Sequence, residues 1–427
     1  MTLRAVKGMN DILPDEVGRW QHLESVLRRR IELHGYAEIR TPVLESTELF
    51  LRSLGETTEV VEKQMFILEK GGESLALRPE GTAPVVRAFV SHSLHAKAPI
   101  NKLYYLGPMF RAEQPQRGRY RQFHQAGCEL TGDPGPGCDA EMIDMLVGML
   151  RELGIESFRV LVNSLGGAGT RARFRDALAA HLTPRAAELS EHSQKRLLDN
   201  PLRILDSKDP RDQRAVADAP SILDLLDPDD LAHWDGLRRA LDALGTPYEV
   251  DAKLVRGLDY YTRTLFEIQG AGGELGTQNA LLGGGRYDGM IEELGGPSVP
   301  AVGFAMGLER ILLAMKEQRP PARPLCFVAP IGERATYEAL RVGRDLREHG
   351  IVAEVDTRGG KLKNLIRRAD SLGARLCVVI GDTELDRGIV LLKDLMAHSQ
   401  EEVARGDIAR RALAVLETAP ATPEGHA

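Results

Sequence analysis

The sequence predicts a mixed α/β protein in two folded parts. Three observations carry this. Residues 325–417 alternate apolar strand-like runs with helical stretches, the pattern of a mixed α/β domain. Residues 107–130, GPMFRAEQPQRGRYRQFHQAGCEL, read as two strands joined by a basic loop. Between the two parts, QRPPARP at 318–324 has the composition of a linker. A chain of 427 residues is long enough for two or three domains with their own cores.

The elements follow in order. Residues 15–34 are helical, because Trp20, Leu23, Val26, Leu27 and Ile31 fall at helical spacing. A strand is expected near 37–40, and Pro42 marks an edge or a bend. Residues 75–90, around ALRPEGTAPVVRAFV, form a loop followed by a helix. After the Gly/Pro-rich turn 132–137, residues 139–153 read as a helix ending at Gly154, and 159–163 as a strand. From about 170 to 248 the composition shifts to Ala, Leu, Arg and Asp with few strand signals, which reads as a helical insertion. Strand-like chemistry resumes at 249–268. Residues 283–296 and 300–315 read as a glycine-rich turn, an apolar strand and a helix. In the second part strands are expected at 325–331, 351–356, 375–381 and 388–395. Helices are expected at 333–349, 361–373 and 400–417.

Composition narrows the function classes. The net charge of −7 argues against binding nucleic acid by global charge, though not against local basic patches. Cys128, Cys138, Cys326 and Cys377 are scattered, with no CxxC or Cys/His cluster of metal-site spacing, so reduced thiols are the expectation. The N-terminus lacks an apolar signal core, and no apolar run is long enough to span a bilayer.

Four segments carry chemistry. In the hairpin, alternation puts Arg111 and Glu113 on one face of the first strand. It puts Phe123, Gln125, Gly127 and Glu129 on one face of the second. Paired in register, they make either a floor for a polar ligand or an amphipathic surface hairpin. On such a floor Arg111 suits a phosphate, Phe123 a base, and Gln125 with Glu129 a small polar molecule. In LRPEGTAP (77–84), Pro79 and Gly81 fix a tight turn presenting Glu80 and Thr82. That suits either an ammonium site or an ordinary helix cap. In LVRGLDYYTRTLFEI (254–268), Arg256, Asp259, Tyr260 and Tyr261 suit a polar pocket wall or an aromatic-packed edge strand. In the last segment, Arg310 in the first turns of a helix suits a phosphate tail or a surface ion pair.

Together these segments resemble one family. FRAEQPQRGRYRQFHQAGCE is similar to motif 2 of class II aminoacyl-tRNA synthetases, AVGFAMGLERIL to motif 3, and GYAEIRTPVLE (35–45) to motif 1, the dimer-interface element. LVRGLDYYTRTLFE and GGGRYDGMIEELGG resemble the two motifs peculiar to histidyl-tRNA synthetases, and LRPEGT and KGMNDILP fit the same family. The resemblance covers essentially the whole chain. It implies an antiparallel-sheet catalytic domain over 1–320 carrying the insertion, then a mixed α/β anticodon-binding domain over 325–420.

The resemblance also implies roles. Glu80, Thr82 and Gln125 hold the histidine ammonium and orient its carboxylate. Glu129 and Tyr261 read the imidazole, and Tyr260 lines the pocket. Arg111 and Arg256 flank the α-phosphate of ATP as the catalytic cations, Phe123 stacks on adenine, Glu113 contacts the adenine or its phosphates, and Arg310 holds the γ-phosphate. Arg117, Arg119 and Arg121 touch the tRNA acceptor end. Lys361, Lys363, Arg367 and Arg368 form a basic helix suited to tRNA backbone or simply a solvated face. The implied partners are L-histidine, ATP, Mg²⁺ carried with ATP rather than by a protein cluster, tRNA(His) and a second copy of the chain, in the cytoplasm. An alternative is the synthetase-like, histidine-sensing regulatory subunit of ATP phosphoribosyltransferase. Such proteins typically lack the anticodon domain and depart from the Arg256 motif.

Overall fold

A computed structural model describes residues 3–55, 58, 60–256, 260–270, 279–316 and 325–417. Its contacts divide the chain into two units, 1–318 and 319–427. The linker-like stretch 318–324 lies outside the described residues, and so does Asp259.

The strands of the first unit are β1 (Ala37–Glu38), β2 (Leu44–Ser46), β3 (Phe66–Lys70), β4 (Glu73–Leu77), β5 (Asn101–Phe110) and β6 (Gln122–Thr131). They continue with β7 (Phe158–Ser164), β8 (Glu249–Val250), β9 (Thr262–Gly270), β10 (Ala280–Arg286) and β11 (Ala301–Gly307). Eight of them form one sheet in the order β1-β5-β6-β11-β10-β9-β7-β8. Its six central strands pair antiparallel, and the short edge strands β1 and β8 pair parallel. Strands β2, β4 and β3 make a small separate sheet.

Alternation explains why this sheet has two unlike faces. Ala126, Cys128 and Leu130 of β6, Val302, Phe304 and Met306 of β11, and Phe266 and Ile268 of β9 point into one apolar core. The helices Pro14–Leu33, Pro136–Glu152 and Pro228–Leu244 cover that face. Each Leu, Val, Ile, Phe or Met side chain among them contributes about 1.5–3 kcal/mol on burial. A one-residue slip of β6 would drive Gln125 and Glu129 into that core, so the register is firmly set. The opposite face is left polar.

Three local expectations are corrected. Strand β5 ends at Phe110, so Arg111 and Glu113 lie just beyond it. The Arg111 N–H still pairs with the Arg121 carbonyl at 2.9 Å, which extends the hairpin for one more bond. Residues 283–285 are not a turn but the middle of β10. Glycines serve there because side chains would collide: a Cβ on Gly283 would sit 2.6 Å from the Arg256 guanidinium, and one on Gly284 2.6 Å from the Phe266 ring. Third, the insertion is shorter than its composition suggests. Helices Ala168–Leu182, Glu191–Asp199 and Pro210–Ala215 share a separate core of Phe174, Leu178, Leu182, Ile204 and Val216. The helix Pro228–Leu244 instead buries Trp234, Leu237 and Leu241 in the main core.

The second unit holds β12 (Leu325–Pro330), β13 (Val352–Val355), β14 (Ala374–Ile380), β15 (Ile389–Asp394) and β16 (Ser399–Ala404), in the order β13-β12-β14-β15-β16. The first three spatial neighbours pair parallel and the last two antiparallel. Helices Glu333–Glu348 and Ile408–Glu417 cover one face, and Leu362–Ser371 the other. The run 400–404 is therefore an edge strand rather than the start of a helix. Its charged Glu401 and Glu402 suit an exposed edge, where they discourage pairing with another chain. On the helix Leu362–Ser371, Arg368 turns inward to the buried Asp356 at 2.6 Å, while Lys361, Lys363 and Arg367 stay exposed.

Candidate active site

On the polar face of the large sheet lies a cavity of about 780 Å³, the size of a cofactor or small-ligand site. Phe123 and Gln125 of β6, Gly303 and Ala305 of β11, Gly283 of β10, and Glu267 and Gln269 of β9 form its floor. These are the residues that alternation leaves on the face away from that core.

One side of the cavity is cationic. Arg111 donates from Nε to the Pro79 carbonyl at 2.9 Å, and its guanidinium lies 5.3 Å from the Phe123 ring centre. The Glu113 carboxylate stands 3.9 Å from Arg111 and accepts from Arg119 at 3.1 Å. Arg310, on the short helix Leu308–Ala314, donates to the Ala280 carbonyl at 2.8 Å. Burial holds both Arg111 and Arg310 below the ordinary guanidinium range, and neighbouring guanidiniums, Arg119 and Arg256 among them, push the same way. Cations crowded like this favour a polyanion. Arg256 pairs with Glu267 at 2.5 Å. The bare edge of Gly283 makes room for it.

The other side is aromatic and acidic. The turn 78–81 fixes Glu80, whose two oxygens accept from the Thr82 N–H at 2.7 Å and the Ala83 N–H at 2.8 Å. Glu80, the residue before the N-cap Gly81, thus satisfies the first N–H groups of helix Thr82–Ser91 and forms a cavity wall at once. Burial raises its pKa despite those two donors. Tyr260 packs on Tyr261 with ring centres 4.5 Å apart and edge-on to Tyr287 at 5.6 Å.

Glu129 is not on the wall. It lies one layer down, fully buried, where it accepts a short hydrogen bond from the Tyr287 hydroxyl. A Cβ on Gly303 would collide with its carboxylate, so that glycine is a window from the cavity to Glu129. Burial pushes the Glu129 carboxyl up to about 8, and the charge of Glu80 adds to this. Its Oε1 and the Oε1 of Gln125 are buried and accept no hydrogen bond among the described residues. Two orphaned acceptors beside one cavity point to a ligand with donors to give.

The structure therefore gathers Glu80, Thr82, Arg111, Glu113, Arg119, Phe123, Gln125, Arg256, Tyr260, Tyr261 and Arg310 around one space. Arg117 and Arg121 lie outside its lining. Arg121 instead donates to the Glu113 carbonyl at 3.3 Å, and a Cβ on Gly8 would press on it at 3.0 Å. Sequence reasoning missed several residues. Glu267 and Gln269 were readable from the polar alternation in FEIQ. Tyr287 sits inside a quoted motif, and so does Glu309. The Glu309 carboxylate accepts from the His124 backbone N–H at 2.9 Å, fixing the Arg310 helix to β6 between Phe123 and Gln125. Asp206, Ser207 and Lys208 of the insertion also line the cavity, and nothing in the sequence signalled that.

Comparison with known proteins gives the family. The Histidyl-tRNA synthetase family model matches residues 8–311, and the Anticodon binding domain model matches 325–414. The chain is 62% identical over 410 residues to the histidine–tRNA ligase of Sorangium cellulosum, covering 96% of each. It is 47% identical to that of Geobacter sulfurreducens, covering 94% of this chain and 97% of the other. The crystal structure of apo S. aureus histidyl-tRNA synthetase superposes with a TM-score of 0.81 at 35% identity, covering 96% of this chain and 99% of that one. End-to-end similarity to ligases, anticodon domain included, does not favour the regulatory-subunit alternative. The chain belongs to the histidyl-tRNA synthetases, the class II aminoacyl-tRNA synthetases that join histidine to tRNA with ATP as substrate.

Proposed function

We propose that the cavity binds histidine at its tyrosine-lined side and ATP along its arginines, and that the residues act as follows. A carboxylate has about four acceptor positions, so Glu80 keeps its two backbone donors and still takes the histidine ammonium, helped by Thr82 and Gln125. The imidazole reaches Glu129 through the Gly303 window and meets the Tyr261 hydroxyl. Adenine stacks on Phe123. Arg111 and Arg256 face the α-phosphate, Glu113 lies beside the nucleotide, and Arg310 holds the γ-phosphate. The crowd of guanidiniums beside an aromatic, acidic pocket is the observation that carries this reading.

The histidine carboxylate is ionised at neutral pH and needs no base. One of its oxygens bonds to the α-phosphorus in line, and the bond from that phosphorus to the bridging oxygen breaks, releasing pyrophosphate. The terminal 3′-hydroxyl of tRNA(His) then attacks the activated carbonyl carbon, and AMP leaves. The protein supplies position and charge, not bonds. Mg²⁺ takes one or two carboxylates, phosphates and water. Such an ion would be held by the ATP phosphates together with the Glu113 carboxylate on the cavity wall, and would neutralise phosphate charge. Arg117, Arg119 and Arg121 meet the acceptor end, and the reaction belongs in the cytoplasm. Among the described residues no helix is long and apolar enough to cross a membrane.

ATP–pyrophosphate exchange with each amino acid tests this, and only histidine is expected to support it. A chain stopped within 317–324 is expected to keep histidine-dependent exchange, because every adenylation residue precedes that point. It should charge tRNA poorly, having lost distal phosphate contacts. Equal loss of both activities would mean the second unit is needed to fold the site.

We also propose a homodimer through the segment 35–45 and the small sheet beside it. Val43, Leu44, Ile67 and Leu68 there are exposed. Isologous dimers are the commonest closed assembly. Light scattering at micromolar protein should give about twice the 46.9 kDa chain mass. A monomer mass counts against it.

A further inference from the structure

Behind the site, on the helix-covered face of the sheet, lies a closed polar cluster that the reaction does not use. The Asp139 carboxylate, from helix Pro136–Glu152, accepts from Arg286 at Nε (3.0 Å) and Nη2 (2.8 Å). His233, from helix Pro228–Leu244, places Nε2 3.0 Å from the same carboxylate and 3.1 Å from the Thr264 hydroxyl of β9. Arg286 and Asp139 are fully buried, and His233 and Thr264 nearly so. Arg286 also donates to the Gly135 carbonyl at 2.7 Å and reaches Asp288 at 3.3 Å.

Burying a charged pair with no apolar gain is a weak route to stability. Its place in the chain suggests another use. Arg286, Tyr287 and Asp288 are consecutive at the end of β10. Arg286 is gripped from behind. Asp288 accepts from the Ala301 N–H at 3.1 Å, and the Tyr287 N–H donates to the Ala301 carbonyl at 2.9 Å. Between these two anchors the Tyr287 side chain points the other way and donates to Glu129. The backbone at 286–288 is therefore held on both sides of Tyr287, whose hydroxyl donates to the buried Glu129 carboxyl.

We propose that Asp139, Arg286 and His233 are positioning residues for histidine recognition: they fix Tyr287, and through it aim Glu129 at the Gly303 window. This rests on the reading of Glu129 as the imidazole partner. It also ties the helix that follows the insertion to the floor of the amino-acid pocket.

The test uses the full chain and ATP–pyrophosphate exchange, with histidine and ATP varied separately. His233→Leu removes the donor to Asp139, and His233→Gln restores one near the Nε2 position. Asp288→Asn weakens the grip on Arg286 from a partly exposed site, should the core variant not fold. Expected for His233→Leu and for Asp288→Asn is a rise of about threefold to tenfold in the KM for histidine, with the KM for ATP unchanged. His233→Gln should recover most of it. A scaffold role alone would lower the Tm without separating the two KM values. Folded variants whose two KM values stay unchanged, or rise in proportion, overturn the proposal. Glu129→Gln run alongside separates the causes. If it impairs histidine use while the cluster variants do not, only the positioning role falls. If it is normal, the reading of the pocket floor falls and takes this proposal with it.

Discussion

Arg256→His is expected to lower histidine-dependent ATP–pyrophosphate exchange by about 10²-fold or more, with histidine binding largely kept. Arg256 stands on the cavity wall with its guanidinium over Gly283 and its charge fixed by Glu267. Burial opposes its cation, yet Tyr261 and Glu267 outweigh that and hold its pKa above the ordinary value. A histidine side chain is shorter, offers no planar fork, and is largely neutral at pH 7. It would leave both the developing phosphate charge and Glu267 without their partner. On the proposed reading histidine binds at the tyrosine side, so its binding is expected to lose little. Exchange rates paired with equilibrium histidine binding make the measurement. An unchanged exchange rate would make Arg256 merely the structural partner of Glu267.

Glu129→Gln is expected to damage histidine use far more than ATP binding. Neutral imidazole has one N–H donor and one acceptor nitrogen. On the proposed reading the buried Glu129 carboxyl, whose Oε1 accepts no hydrogen bond among the described residues, takes that donor, and the Tyr261 hydroxyl serves the acceptor nitrogen. An amino acid without those groups leaves the second Glu129 oxygen buried and unsatisfied beside its Tyr287 bond. Sites built this way reject such analogues by about 10⁴–10⁵ without editing. Separate KM values for histidine and ATP test it. A variant with normal histidine kinetics would place the imidazole reader elsewhere.

The same variant carries a pH signature. The folded-state pKa of Glu129, about 8, lies above the ordinary 4.5. Between those values the folded chain holds a proton that the unfolded chain releases, so the contribution of this group to stability falls as pH rises. Glutamine does not titrate. The Tm of Glu129→Gln minus that of the parent should therefore grow more positive from pH 5 to pH 9. A difference that is flat or falls with pH would show that the carboxyl is not held protonated.

The sequence was most legible where a period or a motif was long. The helix at 14–33 and the strand–helix alternation after residue 325 follow directly from apolar spacing. The floor residues Phe123 and Gln125 follow from strand alternation, which the sheet keeps. The failures are tertiary. Three successive glycines look like a turn, but here they are a strand whose neighbours leave no room for side chains. Helix Pro228–Leu244 shares its composition with the insertion, and only packing shows that its apolar stripe belongs to the main core. Glu129 reads as a surface group on the floor, yet it sits beneath Gly303, a depth that no local pattern encodes. Arg368 looks like one more cation on a basic helix until Asp356, from another strand end, claims it.

The insertion's share of the cavity has a consequence for inhibitors. Most of the floor is strand backbone and side chains locked by antiparallel pairing. A compound resting there meets contours that few substitutions can alter without breaking the sheet. Asp206, Ser207 and Lys208 are held differently: Ser207 donates to Asp212 at 2.5 Å, within a fold organised around Phe174, Leu178 and Leu182. Changes in that remote core are expected to reshape this wall while leaving the sheet floor in place. A drug that drew its affinity from the 206–208 side would meet resistance arising at residues it never touches, whereas one confined to the floor would leave the target few viable escapes.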